Sequence, residues 1–365
     1  MTPPDKTLLP LQKKAKERSV KTITIEYDLE TLVKKIKKNV IKLNPEYQRN
    51  HRWKDETSSR LIESLILNIP IPTIYISQDV DVDAEVEDDV ARYSVIDGQQ
   101  RLTAIYNYIN NKFRLEGLNS LDELNGLKYE DLPPFLTRRL EERTITCLRI
   151  DSTIDPQVKF DIFERLNSGS VELTAQELRN SNYRGKFNQL LKKLSTNETF
   201  TELARLDPES NKVKQMYDRE LVLRFFALAH NDGFRDYVGG FKNFLNTKMN
   251  SFSQLDHLEL TTFETNFINT FEMIKKSFGN TPFAKYRCEE KNTLNLMSKF
   301  NVAVFDSVVV PFYKMSQSKT QPITNYDKFK TLFTDIEYFK SIEGSTNDMN
   351  KVHTRIKKSL EIFEL

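Results

Sequence analysis

An abrupt change of pattern at Asp97-Gly98 is the feature that most constrains the fold of this chain. A short β-branched run that includes Val95 and Ile96 ends there, and from Leu102 onward apolar side chains recur at helical spacing. A strand must therefore pass into a helix through a very tight turn. The Asp-Gly pair suits such a turn because glycine tolerates backbone conformations that other residues avoid.

The five residues of this turn combine a carboxylate, a glycine, two carboxamides and a guanidinium: Asp97, Gly98, Gln99, Gln100 and Arg101. The first N–H groups of a helix lack partners within the helix, and the helix dipole places partial positive charge there. Arg101 adds a planar donor that can bind two oxygens of a phosphate at once. The pattern predicts a phosphate seat with a carboxylate at its rim. The alternative is an ordinary strand-to-helix turn without a ligand.

The length and composition predict two packed units in a soluble, cytoplasmic protein. The chain has 365 residues, of which 38% are hydrophobic and 29% charged, and its net charge is only +2. Two distant cysteines, Cys147 and Cys288, indicate a reducing compartment and no disulfide framework. The chain shows no signal segment and no apolar run of about 18 residues, so we expect no membrane association.

Positive charge is concentrated at the start of the chain. Residues 1–54 contain fourteen Lys or Arg and six Asp or Glu, whereas residues 79–89 contain seven acids and no base. Asp28 is placed to cap a helix whose polar face would carry four lysines, Lys34, Lys35, Lys37 and Lys38. Such a face predicts contact with nucleic acid, and a simple solvated face is the alternative.

The pattern of apolar residues predicts a mixed α/β region followed by an all-helical one. We expect a basic tail over residues 1–21, an α/β domain over 22–185 and an all-helical domain over 186–365. Strands are predicted over 22–27, 73–77, 93–96 and 144–150, and a short basic helix over 135–143. A capping box is predicted at Thr174 and Glu177. The segments around 220–230, 236–249, 256–278, 292–315 and 325–340 all predict helices.

Common enzyme motifs are absent, and three polar segments remain. The chain has no P-loop, dinucleotide-binding glycine motif, paired CxxC or HExxH sequence. The remaining segments are Tyr47 to Trp53, Asp97 to Arg101, and Phe163 to Gly169. If they converge, Arg49, Arg101 and Arg165 can donate to phosphate, and Asp97 with Glu164 can bind a metal or a water.

These segments resemble the GmrSD restriction system N-terminal domain family. The resemblance covers roughly residues 25–185 and is carried by three separated blocks and a proline-containing lead-in. The first block is Asn44-Pro45-x-Tyr47-Gln48-Arg49-x-x-x-Trp53, and the lead-in that follows it is Ile69-Pro70-Ile71-Pro72. The second block is Asp97-Gly98-Gln99-Gln100-Arg101-Leu102-Thr103. The third block is Phe163-Glu164-Arg165-Leu166-Asn167-Ser168-Gly169 with Leu173-Thr174-x-Gln176-Glu177-Leu178-Arg179-Asn180. It implies a ParB/sulfiredoxin-like α/β fold.

The resemblance also implies roles for individual residues. Gly98, Gln99, Gln100 and Arg101 would hold the phosphates of a nucleoside triphosphate, with Mg²⁺ or another divalent cation as a second cofactor. Asp97, as metal ligand or catalytic group, would serve hydrolysis together with Gln100. Thr103 and the flanking Arg49, Arg165 and Asn167 would complete the pocket. The resemblance does not distinguish ATP, GTP, CTP and UTP.

The sequence departs from many relatives at its C-terminal end. His230, His257 and His353 lie in helical contexts without the spacing of an HNH nuclease, so we expect no intrinsic HNH activity. The resemblance instead suggests a nuclease subunit in trans. We expect the protein to be a nucleotide-binding, NTP-hydrolysing regulatory component of a phage-defence or restriction-type system that acts on DNA. The chain can also form homo-oligomers. The alternatives are a non-enzymatic ParB-like nucleic-acid-binding module and a metal-dependent DNA nuclease that uses the N-terminal domain.

Overall fold

The computed structural model describes residues 21–43, 53–78, 92–151, 158, 161–162, 165–166, 174–183, 185–289, 293–318 and 325–365. The chain forms two compact units, one up to residue 172 and one from residue 173 onward. The first is mixed α/β and the second mostly helical, so the predicted fold class is confirmed. None of the described helices has the length and apolar character needed to cross a membrane.

The first unit is built on a five-stranded sheet whose described strands have the order β1-β5-β3-β4-β2. Strand β1 is antiparallel to β5, β5 is parallel to β3, β3 is antiparallel to β4, and β4 is parallel to β2. The strands are β1 (Thr22–Asp28), β2 (Ile41–Lys42), β3 (Ile74–Gln78), β4 (Tyr93–Asp97) and β5 (Thr144–Ile150).

Four described helices accompany this sheet and share a core with it. They are α1 (Leu29–Lys37), α2 (Asp55–Ile66), α3 (Gln99–Ile109) and α4 (Pro134–Glu141). Each helix turns an apolar stripe inward, as Leu29 and Leu32 of α1 and Leu136 and Leu140 of α4 illustrate. The cap predicted for α1 is confirmed, because the Thr31 N–H donates to Asp28 Oδ1 at 2.6 Å.

The strand directions decide which parts of the chain meet at one edge of the sheet. The carboxyl ends of β1, β2 and β4 lie at the same edge as the amino ends of β3 and β5. Asp97 ends β4 at this edge, and Pro72 and Thr73 lead into β3 beside it. Strand β2 also ends at this edge, at Lys42.

The second unit is mostly helical and is held by a core rich in phenylalanine. Phe226 stacks on Phe263 with ring centroids 4.6 Å apart, and Phe225 meets Phe267 edge-on at 5.1 Å. Its helices are α5 (Ala175–Asn182), α6 (Lys186–Ser195), α7 (Glu198–Leu203), α8 (Asn211–Lys214), α9 (Tyr217–Ala229), α10 (Phe241–Phe252), α11 (His257–Phe278), α12 (Val302–Ser318), α13 (Tyr326–Lys330), α14 (Ile336–Ser341) and α15 (Met349–Ile362).

A small antiparallel sheet corrects the expectation that this unit is entirely helical. Strands β6 (Lys285–Cys288) and β7 (Leu294–Ser298) pair with each other, so the helix predicted over 292–315 begins only at Val302. The helix predicted over 236–249 is α10, which starts at Phe241. Both Gly239 and Gly240 have positive φ angles, which end any helix that precedes it.

Candidate functional site

The turn from β4 into α3 has the backbone of a tight strand-to-helix junction. Gly98 caps α3 with φ 96° and ψ 10°, in the left-handed region that favours glycine. A Cβ atom at this position would lie 2.7 Å from Ile74 Cδ1. Glycine is therefore favoured here by its conformation, and a larger residue would also have to displace the end of the Ile74 side chain.

The amino end of α3 offers backbone donors. The first N–H that bonds within the helix is that of Leu102, which donates to the Gly98 carbonyl at 2.9 Å. The preceding N–H groups, those of Gln99, Gln100 and Arg101, have no backbone acceptor within the part of the chain that the structure describes. These groups and the helix dipole together favour an anion at this end.

Two carboxamide atoms beside these donors are buried without a partner. Gln99 Nε2 and Gln100 Oε1 are inaccessible to solvent and make no hydrogen bond within the part of the chain that the structure describes. A buried polar group without a partner costs roughly 1–3 kcal/mol, so native proteins keep few of them. Their presence at the turn fits a site whose hydrogen bonds are completed by a ligand. One carboxamide atom donates and the other accepts, which suits a group with both oxygens and N–H or hydroxyl groups.

Arg101 is held in place by the edge of the sheet. Its Nη2 donates to Asp97 Oδ2 at 2.9 Å and to the Thr73 carbonyl at 3.4 Å, and its Nη1 donates to the Pro72 carbonyl. The side chain is only 12% exposed, against 40% for Asp97. Burial lowers the pKa of Arg101 and the charge of Asp97 opposes that shift. The guanidinium thus links α3, β4 and the lead-in to β3.

Asp97 keeps an oxygen available at this edge. Its Oδ2 accepts from Arg101, while Oδ1 has no hydrogen-bond partner within the described part of the chain. A single carboxylate suits Mg²⁺, which usually keeps several waters and takes other oxygens from phosphates. Among the described residues, no three His, Cys, Asp or Glu side chains group as ligands of one metal ion. Asp97 would therefore hold a metal only together with a ligand's own oxygens.

The thiol nearest to this site is unreactive. Cys147 on β5 is fully buried, and burial raises its pKa to about 11 although Arg101 lowers it. A thiol with such a pKa is protonated at neutral pH and is a poor nucleophile. The polar groups of the turn, rather than Cys147, carry the chemistry of this edge.

The remaining predicted residues are placed unevenly. The Thr103 hydroxyl donates to the Gln99 carbonyl at 2.8 Å, inside α3, and the side chain is buried. Arg165 is exposed, and the segment that carries it follows β5, whose carboxyl end lies at the opposite edge of the sheet from Asp97. Arg49, Glu164 and Asn167 lie outside the described residues.

The lysines predicted to contact nucleic acid lie on α1 and differ in their surroundings. Lys34 pairs with Glu30 at 2.6 Å, and Lys35 Nζ lies 5.4 Å from the centroid of the Tyr27 ring. Lys37 and Lys38 are exposed. The charge of this face is thus partly offset by Glu30.

Arg143 is a residue of this edge that the sequence pattern did not single out. It directly precedes β5, and its Nη2 donates to the Ile69 carbonyl at 3.4 Å while Nε is buried without a partner. Two arginines, Arg101 and Arg143, therefore hold the loop that leads into β3. The signal that could have found it is its place between a basic helix and a strand that starts at the same edge as β3.

His230 and His353 contact aromatic side chains of the second unit, whereas His257 is exposed. His230 Nδ1 lies 3.1 Å from the Tyr313 hydroxyl, and His257 Nδ1 lies 3.2 Å from Thr261 Oγ1. The His353 ring meets Phe234 edge-on. Burial lowers the pKa of His230 and the charge of Lys248 adds to that shift, so the ring is neutral at pH 7.

Fold and site together define a class of protein. It has a mixed α/β domain with a polar strand-to-helix turn at its sheet edge, followed by a mostly helical unit. Residues 29–184 match the family described as GmrSD restriction endonuclease, N-terminal domain. The predicted resemblance is confirmed. The domain indicates a component of a restriction or phage-defence system, with a function related to DNA. No curated protein matches the chain.

Proposed function

We propose that this protein is a nucleotide-binding, NTP-hydrolysing regulatory component of a restriction or phage-defence system. The observation that carries the proposal is the turn at Asp97 to Arg101. There a left-handed glycine, the backbone donors of a helix amino end and two unpartnered buried carboxamide atoms meet at one edge of the sheet. A nucleoside triphosphate would supply the anionic oxygens that these donors lack.

Each residue of the turn has a distinct role in this proposal. The N–H groups of Gln99, Gln100 and Arg101 bind phosphate oxygens, and Gly98 lets the backbone approach them. Arg101 keeps the turn against the lead-in to β3 through its bonds to Asp97 and Thr73, and the electrostatic field of its guanidinium acts on the same phosphates. A divalent cation bound with the nucleotide would neutralise charge on the phosphates. Asp97 and Gln100 orient the attacking water.

Five further residues remain proposed members of the pocket because of the family resemblance: Arg49, Thr103, Glu164, Arg165 and Asn167. Thr103 is the weakest of them, because its hydroxyl is already bonded inside α3. Arg49 is proposed from the family resemblance alone, since it lies outside the described residues. The side chain of Arg165 is exposed and therefore accessible to a ligand.

The same proposal includes a nuclease subunit in trans that acts on DNA. The family description names a restriction endonuclease, and His230 and His353 of the second unit are engaged in its packing. In this arrangement hydrolysis at the turn licenses the partner to cut. The exposed lysines Lys37 and Lys38, with Lys34 and Lys35, would contact DNA phosphates on the first unit.

Release of inorganic phosphate tests hydrolysis. The purified full-length chain is incubated with ATP, GTP, CTP or UTP, with and without Mg²⁺, and compared with Asp97→Asn. The asparagine keeps an oxygen that accepts from Arg101 but loses the charge, so we expect it to bind nucleotide and release little phosphate. A wild-type protein that hydrolyses none of the four, or an Asp97→Asn variant as fast as wild type, contradicts the catalytic part of the proposal.

A further inference from the structure

Helix α4 presents an aromatic ring and two arginines on its outer face. Leu136 and Leu140 are buried in the core of the first unit, whereas Phe135 is 60% exposed and Arg138 and Arg139 are exposed as well. Residues three and four apart lie on one face of a helix, so Arg138 and Arg139 share a face with Phe135. Among the described residues, neither arginine forms an ion pair.

This face continues into the basic face of α1. The Leu29 N–H at the start of α1 donates to the Arg143 carbonyl, just beyond the end of α4, at 3.0 Å. Both helices pack on the same core with their opposite, polar sides facing solvent. Lys37 and Lys38 are exposed on α1. The start of α1 therefore lies beside the end of α4, and we call the exposed residues of the two helices the basic surface.

Acidic side chains on α1 and α4 neutralise only part of the positive charge of these two helices. Glu30 is paired with Lys34 at 2.6 Å, and Glu141 accepts from the Tyr129 hydroxyl at 2.6 Å. Glu142, at the end of α4, is exposed and lies four residues after Arg138. The surface therefore keeps a net positive charge around an accessible aromatic ring.

We propose that this surface binds single-stranded DNA, with Phe135 stacked on a base and Arg138 and Arg139 on the adjoining phosphates. An aromatic side chain within a basic surface is the means by which proteins bind single strands without regard to sequence. A duplex hides its base faces and offers nothing for Phe135 to stack on. The inference rests on the DNA-related part of the proposed function and is independent of the nucleotide site.

Fluorescence anisotropy of a labelled oligothymidine and of a labelled duplex tests the role of the ring. With the full-length, nucleotide-free chain, Phe135→Ala weakens binding to the single strand about tenfold, the worth of one stacked base, and leaves duplex binding unchanged. Phe135→Leu behaves like the alanine variant because it keeps apolar area but has no ring. Leu258→Ala, at an exposed leucine on α11, is the matched control and binds like wild type.

The salt dependence of the same binding tests the arginines. Replacing both Arg138 and Arg139 by alanine makes the slope of log affinity against log salt concentration shallower by about 1.4, because each lost phosphate contact contributes about 0.7. Removing the same charge from the second unit, with Lys276→Ala and Lys357→Ala, leaves the slope unchanged. Glu142→Gln strengthens binding because it removes the acid beside Arg138.

Three results would overturn the inference. They are a wild-type chain that does not retain the single strand at low salt, a Phe135→Ala variant that binds it as tightly as wild type, and equal losses for single strand and duplex. Thermal unfolding of Phe135→Ala should match wild type because the ring is mostly exposed, so a loss of fold is recognised. If the chain binds the single strand through Phe135 but does not bind a nucleoside triphosphate, the proposed nucleotide function is contradicted and the inference about single-stranded DNA is supported.

Discussion

At the scale of single residues, the two glutamines of the turn matter more than the arginine that first draws attention. Arg101 satisfies Asp97 and two carbonyl groups within the first unit, whereas Gln99 Nε2 and Gln100 Oε1 are buried and satisfy nothing. A side chain whose hydrogen bonds are already made within the protein does not need a ligand to complete them. The carboxamides are therefore the part of the turn that most favours the proposed ligand.

The unpartnered carboxamides predict opposite effects on stability and on binding. Gln99→Leu removes a buried polar group that has no partner, so the free energy of unfolding should rise by about 1 kcal/mol or stay unchanged. The same change removes a ligand contact and weakens nucleotide binding. Urea unfolding measures the first effect. Gln189→Leu, at an exposed glutamine on α6, is the control, and a Gln99→Leu variant destabilised by more than about 1 kcal/mol contradicts this view.

Gly98 permits a second test, in which steric contact is separated from backbone strain. Gly98→Ala should cost about 1–3 kcal/mol because φ is 96° and the new Cβ would lie 2.7 Å from Ile74 Cδ1. Gly126→Ala is the matched control, since φ there is 87° and nothing lies within 4 Å. The difference in unfolding free energy between the two variants gives the cost of the contact. Equal costs would show that Ile74 can move away.

At the scale of elements, the local signals are those that the sequence predicts well. The capping box at Thr174 and Glu177 is confirmed, with the Thr174 N–H donating to Glu177 Oε2 at 2.8 Å and the Glu177 N–H to Thr174 Oγ1 at 3.3 Å. A cap depends only on residues three apart, so its pattern is visible without tertiary structure. The strand-to-helix turn at Gly98 is predicted for the same reason.

This cap also predicts the stability of α5. Thr174→Ala should lower the free energy of unfolding by about 1 kcal/mol because an N-cap hydroxyl is lost, and the hydrogen bond of Thr174 Oγ1 to the Gln215 carbonyl adds to the loss. Thr265→Ala, in the middle of α11, lacks such a role and should change stability by less than about 0.5 kcal/mol. Chemical denaturation followed by circular dichroism compares them. Equal stability of Thr174→Ala and wild type would contradict the account.

Two strands without a clear pattern of their own are not predicted. Strand β7 forms because Leu294 to Ser298 pairs with the preceding strand β6, and its apolar spacing alone also suits a helix. The short β2 pairs with β4 across more than fifty residues and has no pattern of its own. The distant partners of Arg101 and Arg143 are likewise backbone carbonyls, which carry no sequence signal. Helix α5 lies in the second compact unit, although the predicted boundary at 185/186 and the family match to residue 184 place it with the first.

At the scale of the whole molecule, a buried charge cluster joins the helices of the second unit. Asp306 on α12 is fully buried and accepts from Arg224 on α9 at 2.7 Å through both oxygens, and from Arg355 on α15. The Arg224 guanidinium also lies 3.4 Å from the centroid of the Phe241 ring. Removing one member of a buried ion pair leaves charge without compensation, which is far more costly than losing a surface pair.

Asp306→Asn should therefore destabilise the second unit by about 3–5 kcal/mol. Circular dichroism follows this helical unit, whereas fluorescence of Trp53, the only tryptophan, follows the first unit. Asp327→Asn, which removes only an exposed pair with Lys330, is the control and should cost less than about 1 kcal/mol. A circular dichroism transition unchanged in Asp306→Asn would show that the cluster does not stabilise the unit.

The same cluster predicts a dependence on pH. Burial opposes ionisation of Asp306, but the charges of Arg224 and Arg355 prevail and lower its pKa. A carboxyl whose pKa is lower in the folded state stabilises the fold fully above its unfolded pKa of about 3.9. That stability is lost as the pH falls through the lower folded value. Denaturation midpoints between pH 7 and 2 should fall less steeply for Asp306→Asn than for wild type, and parallel curves would contradict the assignment.

Isothermal titration of the full-length chain with ATP, GTP, CTP and UTP in the presence of Mg²⁺ tests the central claim most directly. The account predicts that at least one of the four binds at micromolar to millimolar concentrations. It also predicts that a double variant, Gln99→Leu with Gln100→Leu, loses at least about tenfold in affinity while it unfolds at the same temperature as wild type or higher. Failure of all four nucleotides to bind wild type, or equal affinity of the folded double variant, would contradict it.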